Sequence, residues 1–96
     1  MIILNVFFKV KDGHEAAFLR LMNGMVVRSN KEDGCDLYQL VRYEHSKYDF
    51  ALIEHWKSKE HLNSHGKTPH WINFDNTVNT YLAEPYDEHH YEEIGR

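Results

Sequence analysis

Ile2-Ile3-Leu4-Asn5-Val6-Phe7-Phe8-Lys9-Val10 is the stretch on which the fold turns. With the two-residue period of a strand, Ile2, Leu4, Val6, Phe8 and Val10 share one face, while Ile3, Asn5, Phe7 and Lys9 share the other. Both faces are largely apolar, so the strand is expected at the centre of a sheet and covered on both sides. Asn5 is the exception within it, because an amide in such a strand needs a specific hydrogen-bonding partner.

Downstream, Asp12-Gly13-His14-Glu15 carries the Asp-x-x-Glu spacing of a capped helix start. Phe18, Met22, Met25 and Val26, with Leu21 between them, recur at helical spacing. This predicts a long first helix ending before Asp33-Gly34. Residues 36–43 alternate Leu37, Gln39, Val41 and Tyr43 against Tyr38, Leu40 and Arg42, and a polar turn at His45-Ser46-Lys47 leads to a third strand over about residues 48–57. These two strands read as an antiparallel hairpin. Ser58 is the predicted N-cap of a short helix that stops at Gly66, and Thr68-Pro69 restarts the helix with a capping hydroxyl and a proline at its first position. Pro85 breaks the chain, and residues 86–94 read as a last strand.

The order β-α-β-β-α-β over a single domain, residues 1–96, suits a ferredoxin-like α+β sandwich with helices on one face of an antiparallel sheet. Helices can cover only that one face. The first strand is apolar on both faces, and Tyr38 with Leu40 and Ala51 with Ile53 add apolar groups to the second face of the other strands. A homodimer packing sheet against sheet is therefore expected to cover it.

The formal charge of −4 offers no basic field for nucleic acid or an anionic membrane, so neither partner is expected. The lone Cys35 forms no internal disulfide, and no signal-type apolar run or bilayer-length span is present. A cytoplasmic setting is expected.

The densest potential chemistry lies in Glu54-His55-Trp56, His65 and Thr68-Pro69-His70-Trp71. Strand alternation turns Glu54 and Trp56 to one face and His55 to the other. Each residue also has an ordinary structural reading: Trp56 as core, Glu54 as a hydrogen-bonded strand carboxylate, His65 as a cation near a helix C-terminus. His61 and His65 stand at i and i+4, which suits a metal, but spacing places no third ligand, so no metal is expected. His89 and His90 fall on opposite strand faces and cannot share an ion.

The order of these elements resembles the antibiotic biosynthesis monooxygenase domain family. The resemblance rests on the Glu32-Asp33-Gly34-Cys35 turn, Glu54-x-Trp56, His65, Thr68-Pro69-His70 and Glu84-Pro85, and it spans nearly the whole chain. It implies a dimeric ferredoxin-like protein with a pocket between sheet and helices. It further implies oxidation of an electron-rich aromatic, such as a quinol, with dioxygen as co-substrate and no flavin, haem or metal. Such a reaction needs an apolar cavity, a base for the hydroxyl proton and donors for developing negative charge. The resemblance points to His65 as the base, Trp56 as a wall and N–H donor, and Asn5 as an orienting amide, with Glu54, His70 and Trp71 binding substrate. Polyketide-oxidising members carry an asparagine where this chain has Leu52. Haem-degrading members place an iron-ligating histidine near Asp75 and a tryptophan at the position of His65. A member that isomerises a phosphorylated autoinducer sugar shares the His-x-x-Thr-Pro-His pattern of residues 65–70. Beside the quinol-type monooxygenase stand two alternatives, an isomerase or tautomerase of a small carbonyl compound and a non-catalytic ligand binder.

Overall fold

The structure, a computed structural model, describes residues 1–95. Strands β1 (Ile2–Lys9), β2 (Cys35–Arg42), β3 (Asp49–Trp56) and β4 (Asp87–Glu92) form one sheet in the order β2-β3-β1-β4. Every neighbouring pair is antiparallel. Helices α1 (Glu15–Ser29), α2 (Lys59–His65) and α3 (Pro69–Thr77) follow the expected order, with a 3-10 turn over Val78–Tyr81 leading toward β4. This is the ferredoxin-like α+β sandwich, with β1 central.

The core lies between one sheet face and the helices. Leu4, Val6 and Phe8 of β1, with Phe50, Leu52 and Trp56 of β3, are buried against Phe18, Met22 and Met25 of α1 and Phe74 of α3. Aromatic edges knit the layers, Phe18 lying 5.3 Å from Phe8 and 5.0 Å from Phe50 between ring centroids. Rings at such separations add about 0.5–1.5 kcal/mol beyond the area they bury.

Two sequence expectations are corrected. Asp12 does not cap α1: His14 occupies the N-cap position without a side-chain cap, and Asp12 Oδ1 accepts instead from the Tyr48 hydroxyl at 2.9 Å. Gly13, at φ +83°, turns the chain between them, and that left-handed step takes Asp12 out of capping register. Tyr38 and Leu40 belong to the core face rather than the second face. They pair with Glu54 and Leu52, while Leu37 and Val41 oppose His55 and Ala51. A register shift between Cys35 and Leu37, a bulge at the start of β2, accompanies this phase.

Asn30, just past α1, fastens that helix to the edge strand. Its side chain donates to Tyr38 O at 2.9 Å and accepts from Tyr38 N–H at 3.1 Å, satisfying backbone that no strand pairs. The second sheet face carries half-buried Ile3, Asn5, Phe7 and Ile53, and among the described residues no helix covers it. Among the described residues no helix is long and apolar enough to cross a membrane.

Candidate active site

Three connections bring the site together. Ser58 Oγ accepts from His61 N–H at 3.2 Å and starts α2, which ends on His65. Thr68 Oγ1 accepts from Trp71 N–H at 3.2 Å and donates to His65 O at 2.8 Å, so one hydroxyl caps α3 and ties it to the last residue of α2. Pro69 fills the first helical position, where no N–H is needed, and His70 follows it. The α2–α3 corner thus presents two imidazoles.

The third connection is the turn after α1. Glu32 N–H donates to Ser29 O at 3.1 Å and Cys35 N–H to Glu32 O at 3.2 Å. Gly34 between them takes φ +81°, and a Cβ there would overlap the His61 ring of α2. Only glycine lets this turn lie so close to α2. The Glu32 carboxylate then reaches both imidazoles, with Oε2 2.6 Å from His65 Nδ1 and 2.7 Å from His70 Nε2.

His65 is 3% exposed, and burial holds its imidazole below the ordinary range even though the Glu32 carboxylate pulls the other way. A neutral ring donating from Nδ1 to Glu32 carries its lone pair on Nε2. That fixes which nitrogen is basic.

On the sheet side, Glu54 is 4% exposed and its carboxyl is pushed up to about 7, chiefly by burial. The Trp56 indole N–H donates to Glu54 Oε1 at 3.1 Å, a bond that favours the ionised form and opposes the rise. Tyr38 packs its ring 5.5 Å from His65, and burial beside Glu54 holds its phenol protonated. Burial likewise pushes the Cys35 thiol up to about 11, which disfavours the thiolate near neutral pH.

Glu54, His65 and Trp71 line a cavity of about 180 Å³ together with Leu4 and Leu62, and Glu88 and His90 of β4 form its rim. His70 also faces a more open groove of about 420 Å³, lined by Met25, Arg28 and Asn73. The Glu32 carboxylate therefore joins a residue of the cavity to a residue of the groove.

The structure brings together Glu54, Trp56, His65, His70 and Trp71. Trp56, fully buried with its ring 4.7 Å from His65, backs the cavity instead of lining it, and its N–H is committed to Glu54. Asn5 is not brought to the site: it lies on the opposite sheet face, across from Ile53 and His89. Glu32 was missed as a functional residue. Its signal was its place in the turn that the family resemblance singled out, where a carboxylate precedes an obligatory glycine by two positions.

Comparison with known proteins adds a family, two relatives in sequence and two in structure. The family model described as antibiotic biosynthesis monooxygenase matches residues 1–76. YcnE of Bacillus subtilis, provisionally assigned as a monooxygenase, is 29% identical over 87 residues, 91% of this chain and 92% of its own. Rv0793 of Mycobacterium tuberculosis, also provisionally assigned as a monooxygenase, is 29% identical over 79 residues, 81% of this chain and 76% of its own. The solved structure of Rv0793 superposes with a TM-score of 0.94, covering 99% of this chain and 96% of that one at 22% identity. A Nitrosomonas europaea protein provisionally assigned to antibiotic biosynthesis monooxygenases gives 0.93, covering 99% and 100% at 23% identity. The structural matches extend the likeness through β4, beyond the residues that the family model reaches.

Proposed function

The chain belongs to the antibiotic biosynthesis monooxygenase family, and on that footing we propose that it oxidises a small quinol or other electron-rich aromatic with dioxygen, using no resident cofactor. Dioxygen accepts electrons one at a time, and a phenolate yields them more readily than its neutral form. The decisive protein contribution is then removal of a hydroxyl proton in a site shielded from water. All four electrons come from the aromatic, one oxygen atom entering it and the other leaving as water.

The observation that carries this reading is the Glu32–His65 bond at 2.6 Å, which holds His65 Nδ1 and leaves Nε2 as the basic nitrogen of a residue lining the cavity. In this reading His65 takes the substrate proton, Trp71 and Leu4 supply apolar wall, and Glu54, held by Trp56, hydrogen-bonds a substrate oxygen. His70 steadies the carboxylate that orients His65. Asn5 and the apolar second sheet face belong to a homodimer contact, and a cytoplasmic setting accompanies the unpaired Cys35.

Oxygen uptake tests it. Chelator-treated protein given small hydroquinones is expected to consume dioxygen above the autoxidation blank, with most of the rate lost in His65→Ala. Equal rates for the two proteins would remove His65 from the mechanism.

One observation favours a second reading. Glu54, with its carboxyl near 7, and His65 line the same cavity, an arrangement that can move a proton between carbons of a small carbonyl compound. Deuterium entering such a substrate from solvent without oxygen would select that isomerase chemistry. A ligand that binds but emerges unchanged under both conditions would select a binder.

A further inference from the structure

Glu32, His65 and His70 arrive from three separate segments, yet their ligand-capable atoms Oε2, Nδ1 and Nε2 all lie within 4.8 Å of one another. Two imidazoles and one carboxylate are the donor set that zinc and iron(II) take in open sites, whereas magnesium and calcium favour oxygen throughout. The hydrogen-bond geometry adds a stronger argument than proximity. Both ring nitrogens address one point, the Glu32 Oε2 position, at 2.6 and 2.7 Å. Metal–nitrogen bonds run about 2.0–2.1 Å, so an ion near that point needs each nitrogen to close by only about half an ångström. Rotation of the carboxylate then moves its oxygen from the shared point to a third coordination position.

Among the described residues the other histidines form no such set. His61 is engaged by Ser58 Oγ at 2.7 Å and faces Asp33 at 3.5 Å, while His89 and His90 pair with Asp87 and Glu88 on opposite faces of β4. Access is available from the groove that His70 lines, although Arg28 stands there as a like charge.

We infer that Glu32, His65 and His70 form a binding site for one divalent transition-metal ion, which takes the position of the two ring protons now shared between the carboxylate and the imidazoles, each proton moving to the other nitrogen of its own ring. Binding in itself does not depend on the proposed oxidation. Its consequence for that reaction does: an ion on His65 Nδ1 moves the ring proton to Nε2, so the base becomes a donor and the ion acts as an inhibitor.

The test uses the full chain stripped of metal and titrated with cobalt(II) and then zinc. One equivalent per chain is expected, with a visible cobalt absorption that zinc displaces. A His89→Ala variant, changed on the opposite sheet face, should bind cobalt as the wild type does. Glu32→Gln and His70→Asn, checked for folding by circular dichroism, should bind at least about a hundredfold more weakly, since losing an outer-sphere partner alone costs about 10–100-fold. Stoichiometric binding that survives both substitutions would overturn the site, as would the absence of binding to the wild type. Imidazole nitrogen NMR of the unsubstituted protein gives a second reading. Zinc must shift His65 Nδ1 and His70 Nε2, and shifts confined to the other histidines overturn the assignment. Oxygen uptake by the chelated protein is read separately, so a failed oxidation with intact metal binding, or the reverse, identifies which proposal has fallen.

Discussion

One oxygen of Glu32 serves two imidazoles from two helices, His65 Nδ1 at 2.6 Å and His70 Nε2 at 2.7 Å. His65 is almost wholly buried, so water cannot replace that acceptor without cost. Glu32→Ala is therefore expected to lose about 1–3 kcal/mol of stability, the cost of leaving a buried donor unsatisfied. Urea unfolding checks this: the midpoint should fall with little change in slope. An unchanged midpoint would mean the imidazoles find other partners.

Glu54 makes stability depend on pH. Its folded pKa, about 7, lies above its ordinary value of 4.5, so the folded chain holds that proton more tightly than the unfolded one. The contribution is fully present below about pH 4.5 and is lost as pH climbs through about 7. The full span corresponds to about 3 kcal/mol. Glu54→Gln, which keeps an acceptor for Trp56, should be more stable than the wild type at pH 8 and close to it at pH 5. Thermal unfolding at the two pH values gives the comparison, and parallel curves would show that Glu54 titrates normally.

Trp56→Phe acts on the same group from the other side. Removing the indole N–H takes away the one side-chain donor that favours ionised Glu54, so the folded pKa rises further. The variant should be destabilised at both pH values by loss of packing, and by a further ~1–3 kcal/mol at pH 8, where the carboxylate must be buried without its donor. A penalty that does not change with pH would mean that the bond contributes nothing to Glu54.

Much of the fold was legible because periodicity is a local property. The alternation in β1 and β3 and the caps at Ser58 and Thr68 all depend on residues a few positions apart. The facing of β2 was not legible, since either of its faces carries apolar side chains and only the register against β3 places Tyr38 beside Glu54. The site was half legible for the same reason. His65 and His70 sit in one local pattern, but the carboxylate that couples them comes from 33 residues before His65, in a turn whose approach depends on Gly34. Asn5 drew notice as a polar residue in an apolar strand, yet alternation alone could not say which face met the helices.

The turn that carries Glu32 provides a stability test with an internal control. Gly13 and Gly34 both hold φ near +80°, a conformation that costs a residue with a side chain about 1–2 kcal/mol. Around Gly13 an added Cβ meets nothing within 4 Å, while at Gly34 it would overlap the His61 ring. Gly13→Ala should thus lose only the backbone cost. Gly34→Ala should lose more, and should also weaken the Glu32 contact two residues away, which His65 and His70 imidazole NMR would report. Equal losses for the two variants would mean that the turn moves aside freely.

The second sheet face is the natural contact for a second copy of the chain. Ile3 and Phe7 of β1 stand half-buried beside Ile53 of β3, outside the helical layer, with Asn5 between them. A twofold axis across this face lets one patch cover its own copy, and about 800 Å² on each partner suffices for a specific dimer. Light scattering of the full chain at micromolar concentration should therefore give twice the mass of the chain. Ile53→Lys should give the monomer, because each dimer would bury two like charges at its apolar contact while the helix-covered core, on the opposite face, stays intact. Circular dichroism should be unchanged in that variant. A wild type that is monomeric at this concentration would overturn the packing, and an Ile53→Lys protein that remains dimeric would move the contact to another surface.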